Sequence, residues 1–286
     1  MDDEPREQLP DRAPYPEFTP AHALAWIAGA FVMMGVSAML LFAVRPHSKE
    51  DAVMLAGLSA IVFLLASSFL LSSYPGGSRA SAALGVRPTS PLLLGLGLLL
   101  GLVSQLPADR LRRVVEHFFP VSEAEAAARA HLLEPSSTLH AVALVVSLAV
   151  LVPLAEETFF RGAVFGALRR SGRSGFVAAI VTGLGFTLSH FDQRLWLAIA
   201  FMACILGFVR ATSGSLLPGL ALHVGFNGLA AVGAVTGLTT SDSAEIPLRF
   251  ELAVWGLLVV LLLIFAWSTR GRGAWSNRRA EEFVGV

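Results

Sequence analysis

Long uncharged apolar runs separated by short polar breaks dominate the chain. The first, Ala21–Val44, is enough to cross a hydrocarbon core of about 30 Å as a helix. Arg45-Pro46 closes it. A second run, Ala52–Ser73, stops at Tyr74-Pro75-Gly76-Gly77, a strong turn signal. Further runs cover Pro91–Leu106, Leu139–Leu168, Phe176–Phe191, Leu195–Val209, Leu216–Val235 and Leu252–Trp267. The pattern predicts an all-α polytopic bundle of about eight transmembrane helices. Gly97 and Gly101 in the third run have the GxxxG spacing that lets two helices approach closely.

Two polar stretches between the third and fourth runs do not span. Leu111, Val114, Val115, Phe118 and Phe119 recur at helical spacing among Arg110, Arg112, Arg113 and Glu116. Such an amphipathic helix suits the headgroup interface. After Pro120, Ser122-Glu-Ala-Glu125 has capping-box spacing and opens a short alanine-rich helix to about Leu133. Residues 1–20, rich in acids and proline, cannot bury a core and read as a disordered tail without the basic start of a signal peptide. The expected division is therefore a tail over 1–20, N-terminal spans and amphipathic connector over 21–138, a catalytic core over 139–235, and a last span with its tail over 236–286.

Composition agrees with a membrane protein: 55% of residues are hydrophobic and 15% charged, against roughly 25% charged in soluble domains. Net formal charge is zero, which implies no nucleic-acid partner. The lone Cys204 excludes an internal disulfide and a CxxC metal site and reads as a small core residue. Eight spans put both termini on one side. The side holding the tails then carries twelve basic residues against eight, so both termini are expected in the cytoplasm of a bacterial plasma membrane.

Against this background the polar residues inside apolar runs are costly. An ionisable group at bilayer depth needs a partner or a wet cavity, which makes it a functional-site candidate. Leu151–Gly162 holds three: Glu156, Glu157 and Arg161. Glu157 and Arg161 stand at i and i+4 and can pair along one face, while Glu156 points about 100° away. His190 ends the fifth run in Phe186-Thr-Leu-Ser-His190. His223 and Asn227, again i and i+4, lie within the seventh. Taken together these groups suit hydrolysis. Glu156 would be the general base, His190 would orient or polarise a water, and His223 and Asn227 would donate to an oxyanion. Glu157 and Arg161 would be a supporting pair. The same polar cluster could instead serve a proton relay in a transporter or a binding scaffold. Zinc held by Glu156, His190 and His223 is a further option, although the helical HExxH pattern is missing.

The three motifs Glu156-Glu157-Thr-Phe-Phe-Arg161, Phe186-Thr-Leu-Ser-His190 and His223-Val-Gly-Phe-Asn227 resemble the EExxxR, FxxxH and HxxxN motifs of the CPBP family. These are the CAAX-protease and bacteriocin-processing (Abi) intramembrane endopeptidases. The resemblance covers roughly Leu139–Gly233. It implies a membrane helix bundle acting on a membrane-associated protein or peptide, prenylated or not. It also implies that Glu156 and His190 activate water and that His223 and Asn227 form the oxyanion hole. The family has been described with and without a metal, and the resemblance favours no cofactor.

Overall fold

A computed structural model describes residues 17–44, 49–73, 80–237 and 246–270. Residues 1–16 of the N-terminal tail, the C-terminal tail from residue 271 and the breaks at Arg45-Pro46 and Tyr74–Gly77 lie outside the described residues. Residues 17–20, expected in the disordered tail, are ordered, with the Phe18 N–H donating to Ser171 Oγ at 3.1 Å. Within the described residues every regular element is helical, and seven helices are long and apolar enough to cross a membrane. The first two are α1 (Pro20–Val44) and α2 (Lys49–Ser73). A short α3 (Ala80–Leu84) precedes α4 (Pro91–Val103), which runs on through Ser104 into α5 (Gln105–Phe118). The third span and the amphipathic stretch are thus one apolar-to-amphipathic unit, Pro91–Phe118. Helix α6 (Glu123–Leu133) begins as its capping box requires, with the Ser122 hydroxyl accepting from the Glu125 N–H at 3.2 Å.

The fourth span, Thr138–Arg170, is one continuous rod that leaves α-helical register twice. It consists of α7 (Thr138–Val146), a π-helical segment Ser147–Leu151, α8 (Val152–Glu157), a second π segment Thr158–Val164 and α9 (Phe165–Arg170). Gly172, at φ 79°, ends it. The Arg173 N–H returns to the Leu168 carbonyl at 3.0 Å and the Gly172 N–H to that of Arg169 at 3.1 Å, the paired bonds of a Schellman stop.

Helix α10 (Gly175–Leu188) has 14 residues, about 21 Å, short of the bilayer's hydrocarbon thickness. His190 follows directly on its C-terminal end. The remaining spans are α11 (Trp196–Ser213), α12 (Leu217–Thr236) and α13 (Leu248–Ser268).

Helix α12 packs most extensively on α4, and the GxxxG pair explains how. A Cβ on Gly97 would lie 2.3 Å from the Pro218 carbonyl oxygen, and one on Gly101 2.0 Å from that of Leu222. Only bare backbone allows this approach, which seats His223 toward the fourth span. One apolar core gathers around α8, the second π segment and α9, with Phe159, Phe160, Phe165 and Phe186 buried in it. A second fills the space between α4, α11, α12 and α13. Cys204 is exposed on α11, not in either core: the apolar run carries an outward face as well as an inward one.

Candidate functional site

Helix α8 ends on the two adjacent acids, and their one-residue offset gives them different surroundings. Glu157 is fully buried. Its Oε1 accepts from Arg161 Nη1 at 2.9 Å, one turn along, and Arg161 is fully buried too. The same oxygen meets His223 Nδ1 at 3.0 Å. An ionised carboxylate can only accept, so the imidazole proton on that side belongs on Nδ1. His223 Nε2 then faces the neighbouring acid, 3.6 Å from Glu156 Oε2. The histidine side chain is 5% exposed and Glu156 is 15% exposed. Of the two acids, only Glu156 keeps an open side.

Phe186, the first residue of the second motif, joins these groups. Arg161 lies over its ring at 4.4 Å from the centroid. The His190 ring packs edge-on to it at 4.9 Å and the His223 ring at 5.8 Å. Such stacking over a desolvated guanidinium favours the cation by 1–2 kcal/mol in order of magnitude, about as much as a good hydrogen bond. Phe186 thus orients three of the motif residues at once.

His190 is fixed by the end of α10. There the Phe186 carbonyl no longer has a helical N–H and takes the His190 Nδ1 proton at 2.8 Å. That bond sets the tautomer and leaves Nε2 with its lone pair. The Trp196 indole N–H holds the His190 carbonyl at 2.6 Å. His190 and His223 both lie within electrostatic reach of Glu156. Asn227 stands one turn beyond His223 and donates from Nδ2 to the Leu148 carbonyl at 3.2 Å. The amide has a second N–H and its carbonyl oxygen to spare.

Residues 138–229 match the Rce1-like family, the type II CAAX prenyl endopeptidases. The match takes in all three motifs and agrees with the CAAX-protease family they resemble. The Rce1-like family is one of peptidases, so the match over this segment supports intramembrane endopeptidase activity. No curated protein and no solved structure matches the chain.

The Rce1-like segment thus brings Glu156, Glu157, Arg161, His190 and His223 together, with Asn227 at the edge of the cluster. Glu157 orients His223 through Nδ1, and His223 Nε2 stands 3.6 Å from Glu156 Oε2. Among the described residues no group of three or more histidines, cysteines or acids could hold a metal ion.

Several groups at or near the site went unread in the sequence. Phe186 was visible only as a motif letter. Arg210 on α11 is 1% exposed, and its Nε donates to the Arg161 carbonyl at 2.9 Å. The signal for it was present, since an arginine fourteen residues into an apolar helix is as costly as Arg161. Outside the membrane-spanning segments, Asp192 follows His190 closely. Arg129 of α6 reaches Asp192 Oδ2 at 2.5 Å, and Arg194 joins Asp192 to Glu125 of α6 at 2.9 Å on each side. This lattice ties α6 to the loop that carries His190. Burial pushes the Asp192 carboxyl up, but the guanidiniums of Arg194 and Arg129 and the Arg194 backbone N–H outweigh it and hold it at about 2, below its ordinary 3.8.

Proposed function

We propose that the chain hydrolyses a peptide bond of a membrane-associated protein or peptide, with Glu156 as the base that activates water. The observation that carries this reading is the division of labour between the adjacent acids. Glu157 is committed to Arg161 and His223, whereas Glu156 keeps an exposed edge beside two histidines.

In the proposed sequence Glu156 takes one proton of a water whose other O–H donates a hydrogen bond to His190 Nε2. The resulting hydroxide adds to the substrate carbonyl carbon, and the carbonyl electron pair moves onto oxygen. That oxyanion is met by the second Nδ2–H of Asn227 and by His223 Nε2 in the imidazolium form, donors that gain strength in a site with little water. Glu156 then returns its proton to the leaving nitrogen as the C–N bond breaks and the carbonyl re-forms, giving an amine and a carboxylic acid that passes its proton to His190 Nε2. Glu157 and Arg161 hold His223 and the helix in place. No step passes through a metal. We expect cleavage to persist after chelation, and activity lost to chelator and restored by zinc would overturn that part.

The Rce1-like match makes a prenylated CAAX protein the first substrate class to test. In liposomes, the protein should cut a farnesylated CAAX peptide, its unprenylated form, or both, and Glu156→Ala should cut neither. Comparative profiling of membrane peptides from cells with active and Glu156→Ala protein would identify natural substrates. No peptide change in either assay would overturn the peptidase reading in favour of transport or scaffolding by the same cluster.

A further inference from the structure

The two π segments bracket α8, so the setting of Glu156 and Glu157 depends on what holds those breaks. In the first, the Val152 N–H turns to the Ser147 carbonyl. The Leu148 carbonyl thereby loses its usual α-helical donor. The next donor in π register would be residue 153, and residue 153 is proline, which has no N–H. Leu148 is left with neither helical partner at membrane depth, where backbone groups must be satisfied within the protein. Asn227 Nδ2 supplies the missing donor from α12.

The second break has a matching form. The Phe165 N–H is shared by the Phe160 and Gly162 carbonyls and passes over that of Arg161, which Arg210 Nε takes up from α11. Each offset of one residue turns the downstream part of the helix by about 100° about its axis. Register at these breaks therefore decides which acid meets Arg161 and His223 Nδ1 and which keeps the open side.

We propose that Asn227, besides offering its second N–H to the oxyanion, has a positioning role through its first. By completing the ladder at Leu148, it holds the first π offset and so sets the rotation of Glu156. This deepens the peptidase reading and rests on it for the catalytic consequence, but the pin itself can be tested without substrate. Pro153 is the lever, because Pro153→Ala gives the Leu148 carbonyl a helical N–H and relieves Asn227 of the task.

The test is a double-mutant cycle on the full chain in one detergent: wild type, Pro153→Ala, Asn227→Leu and the double variant. Asn227→Asp, isosteric but without the N–H, replaces Asn227→Leu if the latter does not fold. Two quantities are read, the thermal midpoint and the cleavage of the farnesylated CAAX peptide. Asn227→Leu alone is expected to lower the midpoint by about 3–8 °C. It should also lower kcat at least roughly thirtyfold, with KM within about twofold. In the Pro153→Ala background the midpoint loss should fall by more than half and the kcat loss at least about threefold, since the two sites share one carbonyl. Equal midpoint losses in both backgrounds overturn the pin. Coupled midpoints with uncoupled kcat overturn the positioning role and leave Asn227 acting on the chemistry directly. If the wild type cuts neither this peptide nor any found by profiling, the peptidase reading fails, and the midpoints alone decide the pin.

Discussion

Two ionic clusters, both anchored near His190, use the same residue types in opposite settings. In the interior, Glu157, Arg161 and His223 share one carboxylate oxygen with essentially no exposure. At the rim, Glu125, Arg129, Asp192 and Arg194 alternate in a lattice whose members are 20–42% exposed. Water screens the outer charges, so each link there contributes little. The inner charges were desolvated at a cost their attraction does not fully repay, and removing one leaves the other stranded. The contrast teaches that the interior cluster is expensive, which argues for a role in chemistry. The lattice fastens α6 cheaply to the loop that carries His190.

The largest expected effect separates Glu156 from both clusters. Glu156→Ala should lower cleavage by about a thousandfold or more while the thermal midpoint stays near that of the wild type, because its neighbour His223, 3.6 Å away, keeps its bond to Glu157. A large fall in the midpoint would return Glu156 to the structural cluster. Next comes Glu157→Leu, which buries an unpaired Arg161 and should cost about 3–5 kcal/mol, read by thermal unfolding in detergent. Adding Arg161→Leu should recover most of that stability, since apolar packing replaces a buried pair at little cost. Cleavage should not return, because His223 has lost the carboxylate that orients it. Recovery of both together would show the pair to be mere charge compensation.

The helices were legible because the solvent is apolar. Uninterrupted runs, the capping box at Ser122 and the GxxxG pair each correspond to an observed element or contact. The join of the third span to the amphipathic stretch was not, since its apolar and polar halves have different hydropathy although one rod continues through Ser104. The i,i+4 pairing of Glu157 with Arg161 follows from helical spacing alone. The contact of His223 with both acids does not. It depends on α4 admitting α12 at Gly97 and Gly101, and on two π breaks that no local propensity announces. Arg210 escaped for another reason: counting it among the basic residues at a membrane edge concealed that it is buried.

The smallest expected effect belongs to the rim and has a definite sign. Asp192 is half-buried and faces Arg129 and Arg194, with Glu125 of α6 bonded to the same two arginines. Its carboxyl titrates at about 2 in the folded protein, below the ordinary 3.8. A group whose folded value is depressed adds stability that is fully present above the unfolded value and is lost as pH falls through the folded one. The lattice should therefore contribute a constant amount down to about pH 5 and lose it between about pH 4 and 2. Because the links are wet, that amount is under about 1 kcal/mol. The thermal midpoint of Asp192→Asn should lie a few degrees at most below the wild type at neutral pH. The gap should close as pH falls through that window. A gap that persists to pH 2 would mean that Asp192 holds α6 and the His190 loop by packing, not by charge.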